Sequence, residues 1–113
     1  MEMDISDLGE NTIKIGLNGR LDTPGVDQVE TRFTASVVPD GRNAVVDMTN
    51  VEFIASMGIR MFISVARSLS AKDAGLALYA SQDLVNEVFD TVSLHDIIPV
   101  CGSQDEALAA LKS

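Results

Sequence analysis

The chain has 113 residues, of which 46% are apolar and 22% charged, and its formal net charge at pH 7 is −9. That length is one ordinary domain, so residues 1–113 are read as a single folded unit with enough apolar material for a core, outside the disordered class. The acidic balance argues against nucleic acid, whose phosphates repel a negative surface, and against anionic membrane, and it suits protein partners that carry a basic patch.

Met3–Ser6 alternates apolar and polar residues and predicts a short strand. Asp7–Asn11 reads as a turn, and Ile13, Ile15 and Leu17 alternate with polar or small residues in a second strand, giving a half-solvated hairpin. Gly19–Asp22 leaves that strand. Thr23 and Pro24 suit a helix start, threonine as cap and proline at the first helical position. Val26, Val29, Phe33 and Val37 keep helical spacing behind them, until Pro39-Asp40-Gly41 ends the helix. Ala44–Met48 is a mostly apolar run, as expected of a strand covered on both faces.

Residues 57–70 have helical period, and Asp73-Ala74-Gly75 closes that helix with Gly75 as the left-handed residue. Leu76–Tyr79 is another buried strand. Ser81 suits the cap of a helix over 82–92 that carries Leu84, Val85, Val88, Phe89 and Val92. Ile97–Val100 reads as a short last strand. Ser103 to Glu106 has capping-box spacing and opens a final helix with Leu108 and Leu111 inward. The order β-β-α-β-α-β-α-β-α predicts an α/β fold: a mixed sheet with an N-terminal antiparallel hairpin, the remaining strands largely parallel with right-handed crossovers, and four helices packed on the sheet.

No apolar run approaches the roughly 20 residues that cross a bilayer, so no direct membrane insertion is expected. The acidic start at Met1–Asp4 does not resemble a secretory signal. The single cysteine, Cys101, cannot close an internal disulfide and fits a reducing, cytoplasmic setting; it reads as a small core residue.

The segment Val51–Arg60 joins the central strand to the second helix. Ser56 stands where a cap should be, its hydroxyl placed to accept from the N–H of Gly58 or Ile59, worth about 1 kcal/mol. At 100° per residue, Ile59, Phe62, Ile63, Ala66, Leu69 and Ser70 gather on the expected core face. Met57, Met61, Ser64 and Ser68 gather opposite. Methionine is adaptable and common at binding surfaces, so an off-core methionine pair one turn from Ser56 reads as a docking patch.

Val45-Val46-Asp47-Met48-Thr49, Val51, Phe53 and then Ser56-Met57-Gly58-Ile59 resemble the signature of STAS-domain anti-sigma factor antagonists. Gly19-Arg20-Leu21-Asp22 resembles the family's Gly-x-Leu-Asp at the end of its second strand, and the element order matches along essentially the whole chain. Two positions depart from the pattern: Ala55 stands where the family has Asp, and Met57 where it has Ser or Thr. The resemblance implies that Ser56 is a phosphorylation site and that partner binding involves Asp22, Thr49, Asn50, Ser56, Met57, Gly58, Arg60, Met61 and Ser64. The partner so implied is an anti-sigma factor that is also a serine kinase, using its own ATP and Mg²⁺; a serine phosphatase resets the switch. The other role the resemblance allows is an accessory subunit of a transporter or signalling assembly that docks through the same helix without phosphorylation.

Enzyme chemistry finds little support in the residues. Asp47 lacks the acidic pair and the lysine that a receiver domain needs, and reads as a turn carboxylate beside Thr49 and Asn50. His95 is the one histidine and has no second His or Cys close by, so no metal site is expected. Gly16, Gly19 and Gly25 do not form a phosphate-binding loop. No cofactor and no catalytic residue is therefore expected. Thr49 and Ser64 are the next acceptors should Ser56 not be one.

Overall fold

The computed structural model describes residues 1–9 and 11–111. Their elements are β1 (Glu2–Gly9), β2 (Thr12–Leu21), α1 (Thr23–Val37), β3 (Asn43–Ile54), α2 (Ser56–Ser70) and β4 (Leu76–Tyr79). These are followed by α3 (Asp83–Thr91), a 3₁₀ turn at Leu94–Asp96, β5 (Val100–Cys101) and α4 (Gln104–Leu111). The strands form one sheet in chain order, with β1 antiparallel to β2 and every other neighbouring pair parallel. This is the mixed α/β sheet with an N-terminal hairpin that the residue pattern predicts. Of the predicted turn Asp7–Asn11, Glu10 lies outside the described residues, and Asp7 and Gly9 belong to β1.

Successive residues of a strand face opposite sides of a sheet. Ile13, Ile15, Leu17, Val46 and Leu78 face one side and pack with Phe33 of α1, Phe62 and Leu69 of α2, and Val85 and Phe89 of α3. Val45, Ala77 and Tyr79 face the other and pack against Ala107 of α4, with Leu108 and Leu111 partly buried beside them. Three helices therefore cover one face and α4 covers part of the other. Both faces of the Val45-Val46 step are fully buried, as a strand covered on two sides requires.

Several local expectations are corrected. Asp22, not Thr23, caps α1: its backbone is extended and its Oδ1 accepts from the Gly25 N–H at 2.9 Å. Gln82 stands at the cap of α3, and the Ser81 hydroxyl is buried without a hydrogen-bond partner among the described residues. The left-handed residue after α2 is Asp73, at φ 60°, rather than Gly75. The run Ile97–Val100 is not a strand. The amides of Ile97 and Ile98 both donate to the Leu94 carbonyl, at 2.8 and 2.9 Å, which curls the chain so that only Val100 and Cys101 pair with β4. Ser103 Oγ accepts from the Glu106 amide at 3.3 Å, but Glu106 reaches the Gly102 N–H instead of Ser103, displacing the capping box by one residue. Among the described residues no helix is long and apolar enough to cross a membrane.

Candidate functional site

β2 and β3 end side by side, Leu21 paired with Ile54, whereas β4 stops at Tyr79 opposite Asp47. From Met48 onward β3 therefore runs past its β4 neighbour. Gly19 pairs with Val51 but Arg20 with Phe53, so Glu52 is an extra residue in β3. A bulge of this kind re-aims side chains. Val51 and Ile54 stay buried, while Phe53 turns outward and is 39% exposed. The Arg20 guanidinium lies 4.4 Å from the Phe53 ring centroid, a cation–π contact worth about 0.5–1 kcal/mol at an exposed site. Arg20 Nε is also 3.5 Å from Asp22 Oδ2, so one arginine ties the end of β3 to the start of α1.

The Ala55 N–H donates to the Leu21 carbonyl at 2.9 Å and fixes the turn into α2 against the end of β2. Ala55 itself occupies the cap position, with φ −103° and ψ 172° and no side-chain cap bond. Its carbonyl accepts from the amides of Gly58 and Ile59, at 2.9 and 3.3 Å. The expected capping role of Ser56 is thus corrected. Ser56 is the first helical residue and is exposed. The N–H groups of the first helical residues have no partner within the helix, so Ser56 and Met57 bring positive partial charge to this end.

Gly58 explains how close α2 comes to the strands. A Cβ there would lie 2.9 Å from Ile54 Cγ1 and 3.2 Å from Leu21 Cβ. Gly58 is therefore a buried seat for the helix and presents no side chain to a partner.

The other residues singled out from the sequence divide by position. Met57 is 37% exposed, and Arg60 and Ser64 are exposed along α2. Met61 is only 1% exposed, which overturns its expected place on the outer face. The buried set of α2 is Gly58, Ile59, Met61, Phe62, Val65 and Leu69, an arc of about 160° at 100° per residue. The arc is wide because α2 packs on α1 as well as on the sheet: Phe33 and Phe62 meet edge to face at 5.8 Å and 62°. It is also turned away from the expected face, leaving Ile63 and Ala66 half-buried and Ser70 exposed.

Thr49 and Asn50 do not join Ser56. They lie roughly 20 Å back along β3, at about 3.3 Å per residue. Thr49 donates its amide and its hydroxyl to the Asp47 carboxylate, but both residues lie within β3, so Asp47 is a strand residue and not the expected turn carboxylate. Asn50 lines a separate cavity of about 580 Å³ with Asp4, Lys14 and Asp47. The fold thus gathers Arg20, Asp22, Phe53, Ser56 and Met57 at one end of the sheet.

Residues 8–107 match the STAS domain. The chain belongs to the STAS family. It is 31% identical over 97 residues, 86% of this chain and 84% of the other, to BtrV of Bordetella bronchiseptica, which carries an anti-sigma factor antagonist name. Its fold is shared with an anti-sigma factor antagonist from Mycobacterium paratuberculosis (TM-score 0.86, 21% identity, 99% of this chain and 94% of that one). It is shared too with the antagonist SpoIIAA in its unphosphorylated form (TM-score 0.76, 20% identity, 95% and 93%). The phosphorylated form of Bacillus SpoIIAA also matches (TM-score 0.71, 19% identity, 96% and 98%). A domain of the murine anion transporter Slc26a9 has the same fold (TM-score 0.74, 15% identity, 88% of this chain and 17% of that one). At these identities the structural likenesses speak for the fold alone.

Within this STAS domain the other reactive side chains stand away from Ser56. Burial, with a smaller contribution from Glu106, pushes the Cys101 thiol up, which keeps it protonated and weakly nucleophilic. It is half-buried beside the small α4 core and not fully interior. His95 is exposed, with Nε2 3.6 Å from Asp96 Oδ1. Among the described residues no group of three or more His, Cys, Asp or Glu is placed to hold a metal ion.

Reading the sequence assigned no role to the Arg20–Phe53 contact and placed Leu84 on a periodic helix face, whereas it is 70% exposed. A signal for the first was present: Glu52-Phe53 between the apolar Val51 and Ile54 breaks the strand's two-residue period, as a bulge does. Nothing in the sequence marks Leu84 apart from Val85 and Val88.

Proposed function

We propose that this STAS protein is an anti-sigma factor antagonist of the bacterial cytoplasm that works by partner switching and has no catalytic activity of its own. In its unmodified state it binds an anti-sigma factor that is also a serine kinase. The kinase transfers the γ-phosphoryl group of ATP to the Ser56 hydroxyl, binding ends, and a serine phosphatase restores the free hydroxyl. The observation that carries this reading is the position of Ser56: exposed, first in α2, and next to the exposed Met57. The names of the relatives support the antagonist role.

The physics of the position agrees. A phosphate on the first helical residue meets free N–H groups and the positive end of the helix dipole, so the fold tolerates it. Arg60, one turn on, lies on the neighbouring stretch of helix surface and can approach the new charge. A partner that must desolvate the Met57 surface meets about two added negative charges there, and binding is lost. In this reading Asp22, through its contact with Arg20, shapes the rim of the docking surface, and Arg60 and Ser64 extend it along α2.

The test is incubation of the protein with native bacterial lysate and labelled ATP, followed by mass-spectrometric location of the phosphate. Label at Ser56 that disappears in Ser56→Ala is expected. Ser56→Ala should also retain a captured protein kinase that Ser56→Asp loses. Label entering Ser56→Ala at the wild-type level would move the acceptor to Thr49 or Ser64.

A further inference from the structure

From Met48 onward, no strand among the described residues pairs with β3 on the side away from β2. α3 lies along this side instead, held at its start by Gln82 Nε2, which donates to the Thr49 carbonyl at 2.9 Å. Between the two runs an open groove of about 430 Å³. Phe53 and Ile54 form one wall, and Leu84, Val85 and Val88 the other. The groove follows α3 from Leu84 to Thr91, about 10 Å at 1.5 Å per residue, the length of a few residues of chain. Leu84 is 70% exposed and Phe53, although the Arg20 guanidinium lies over its ring, 39%, so apolar surface is left in water here.

The charges lining the groove are of one sign, and the nearby Arg20 lies against the Phe53 ring outside the lining. Glu52 and Glu87 stand on its rim, and α3 carries Asp83, Glu87 and Asp90 but no lysine or arginine. The neighbouring α2 is the reverse, with Arg60 and Arg67 and no carboxylate. The negative charge is therefore placed at the groove and is not simply the chain's average. We infer that the groove between β3 and α3 docks a segment of another protein whose apolar side chains are flanked by lysine or arginine. The apolar residues fill the space between Phe53 and Leu84, and the cations meet Glu52 and Glu87. This contact shares Phe53 with the end of the sheet that carries Ser56 but does not include Ser56 itself, and it gives the protein a second point of recognition that does not depend on phosphorylation.

The probe is a fluorescein-labelled twelve-residue peptide of leucine and lysine, compared with leucine–glutamate and serine–lysine peptides of the same length. Saturable binding of the leucine–lysine peptide is expected, with amide NMR shifts concentrated at Phe53, Leu84 and Val88. The two control peptides should bind at least tenfold more weakly. Leu84→Ser and Glu87→Lys, both surface changes, should each weaken binding at least fivefold with an unchanged melting temperature. Ser56→Asp should not weaken peptide binding, so failure of the phosphorylation switch and failure of the groove are distinguished. The inference is overturned by absence of saturable binding, or by serine–lysine peptide binding as tightly, which reports charge alone. It is equally overturned by shifts centred on Asp4 and Asp47, or by the same groove shifts arising from protein concentration without peptide, which means that a second copy covers the groove.

Discussion

Met57 and Met61 stand one turn apart on α2, yet Met57 is 37% exposed and Met61 only 1%. They are just 40° apart around the helix, so rotation does not separate them. Position along the axis does. Met57 belongs to the first turn, at the rim where β2 and β3 end, and Met61 lies about 6 Å further in, at 1.5 Å per residue, within the core that α2 shares with α1 and the sheet.

The pair therefore respond differently to charge. Met57→Lys should change stability by no more than about 0.5 kcal/mol, as surface changes usually do. Partner affinity should fall at least tenfold, about 1.4 kcal/mol. Met61→Lys buries a cation in an apolar site and should cost about 3 kcal/mol or more, enough to lower the melting temperature by roughly 10 °C. Met61→Leu keeps volume and should stay within about 1.5 kcal/mol. Thermal unfolding of the three variants checks this; equal melting temperatures for the two lysine variants would contradict the buried position of Met61.

Ser56 is a helical residue with no capping bond, so removing its hydroxyl should cost little. Ser56→Ala is expected within about 0.5 kcal/mol of wild type. Ser56→Asp places a carboxylate at the positive end of α2 and should stabilise by about 0.3–1 kcal/mol at low salt. Urea midpoints at low and high ionic strength measure both, and the gain of the Asp variant should shrink as salt rises. A loss near 1 kcal/mol in Ser56→Ala would show that the hydroxyl caps the helix in solution.

Gly25 is the tightest approach at this end of the molecule. A Cβ there would stand 2.0 Å from the Arg20 carbonyl oxygen, and neither atom belongs to a side chain that can rotate away. Gly25→Ala should lose about 2–4 kcal/mol despite a helix-propensity gain of up to about 1 kcal/mol. At Gly58 the nearest atoms are side-chain carbons of Ile54 and Leu21, which can shift, so Gly58→Ala should cost less, about 1 kcal/mol. Chemical denaturation that ranks Gly58→Ala as the more damaging change would contradict this seating of the two helices.

At the far end of the hairpin, Asp7 accepts the Gly9 N–H at 2.7 Å and meets Arg42 Nη2 at 2.9 Å. The Gly9 amide first, and then Arg42, hold its carboxyl below the usual aspartate value of 3.8. A carboxyl whose folded pKa is depressed adds stability above its unfolded pKa and loses it as pH falls through the folded value. The loss should therefore fall below about pH 3.8 and be small, because the group lies in water. A carboxyl NMR titration should show Asp7 titrating below the ordinary aspartate range. Arg42→Ala should raise its midpoint only part of the way, since the Gly9 N–H remains.

Much of this architecture was legible in local pattern. The two-residue alternation of Ile13, Ile15 and Leu17 marks a half-covered strand, the unbroken Ala44–Met48 run marks a strand buried on both faces, and the Ser56-Met57-Gly58-Ile59 motif marks the family. These features are local because strand and helix periods are properties of adjacent residues and of the backbone. The errors share a cause. Whether Met61 or Ile63 faces inward depends on α1 lying beside α2, and whether Asp22 or Thr23 caps α1 depends on how the chain leaves β2. That β3 outruns β4, turning Phe53 outward and opening the groove beside α3, depends on a bulge and on a strand paired from far along the chain. Periodicity fixes that a helix has an apolar face and roughly how wide it is. The neighbours that pack against the helix choose its rotation and how far each end projects beyond them, because burial is a property of contacts between segments distant in sequence.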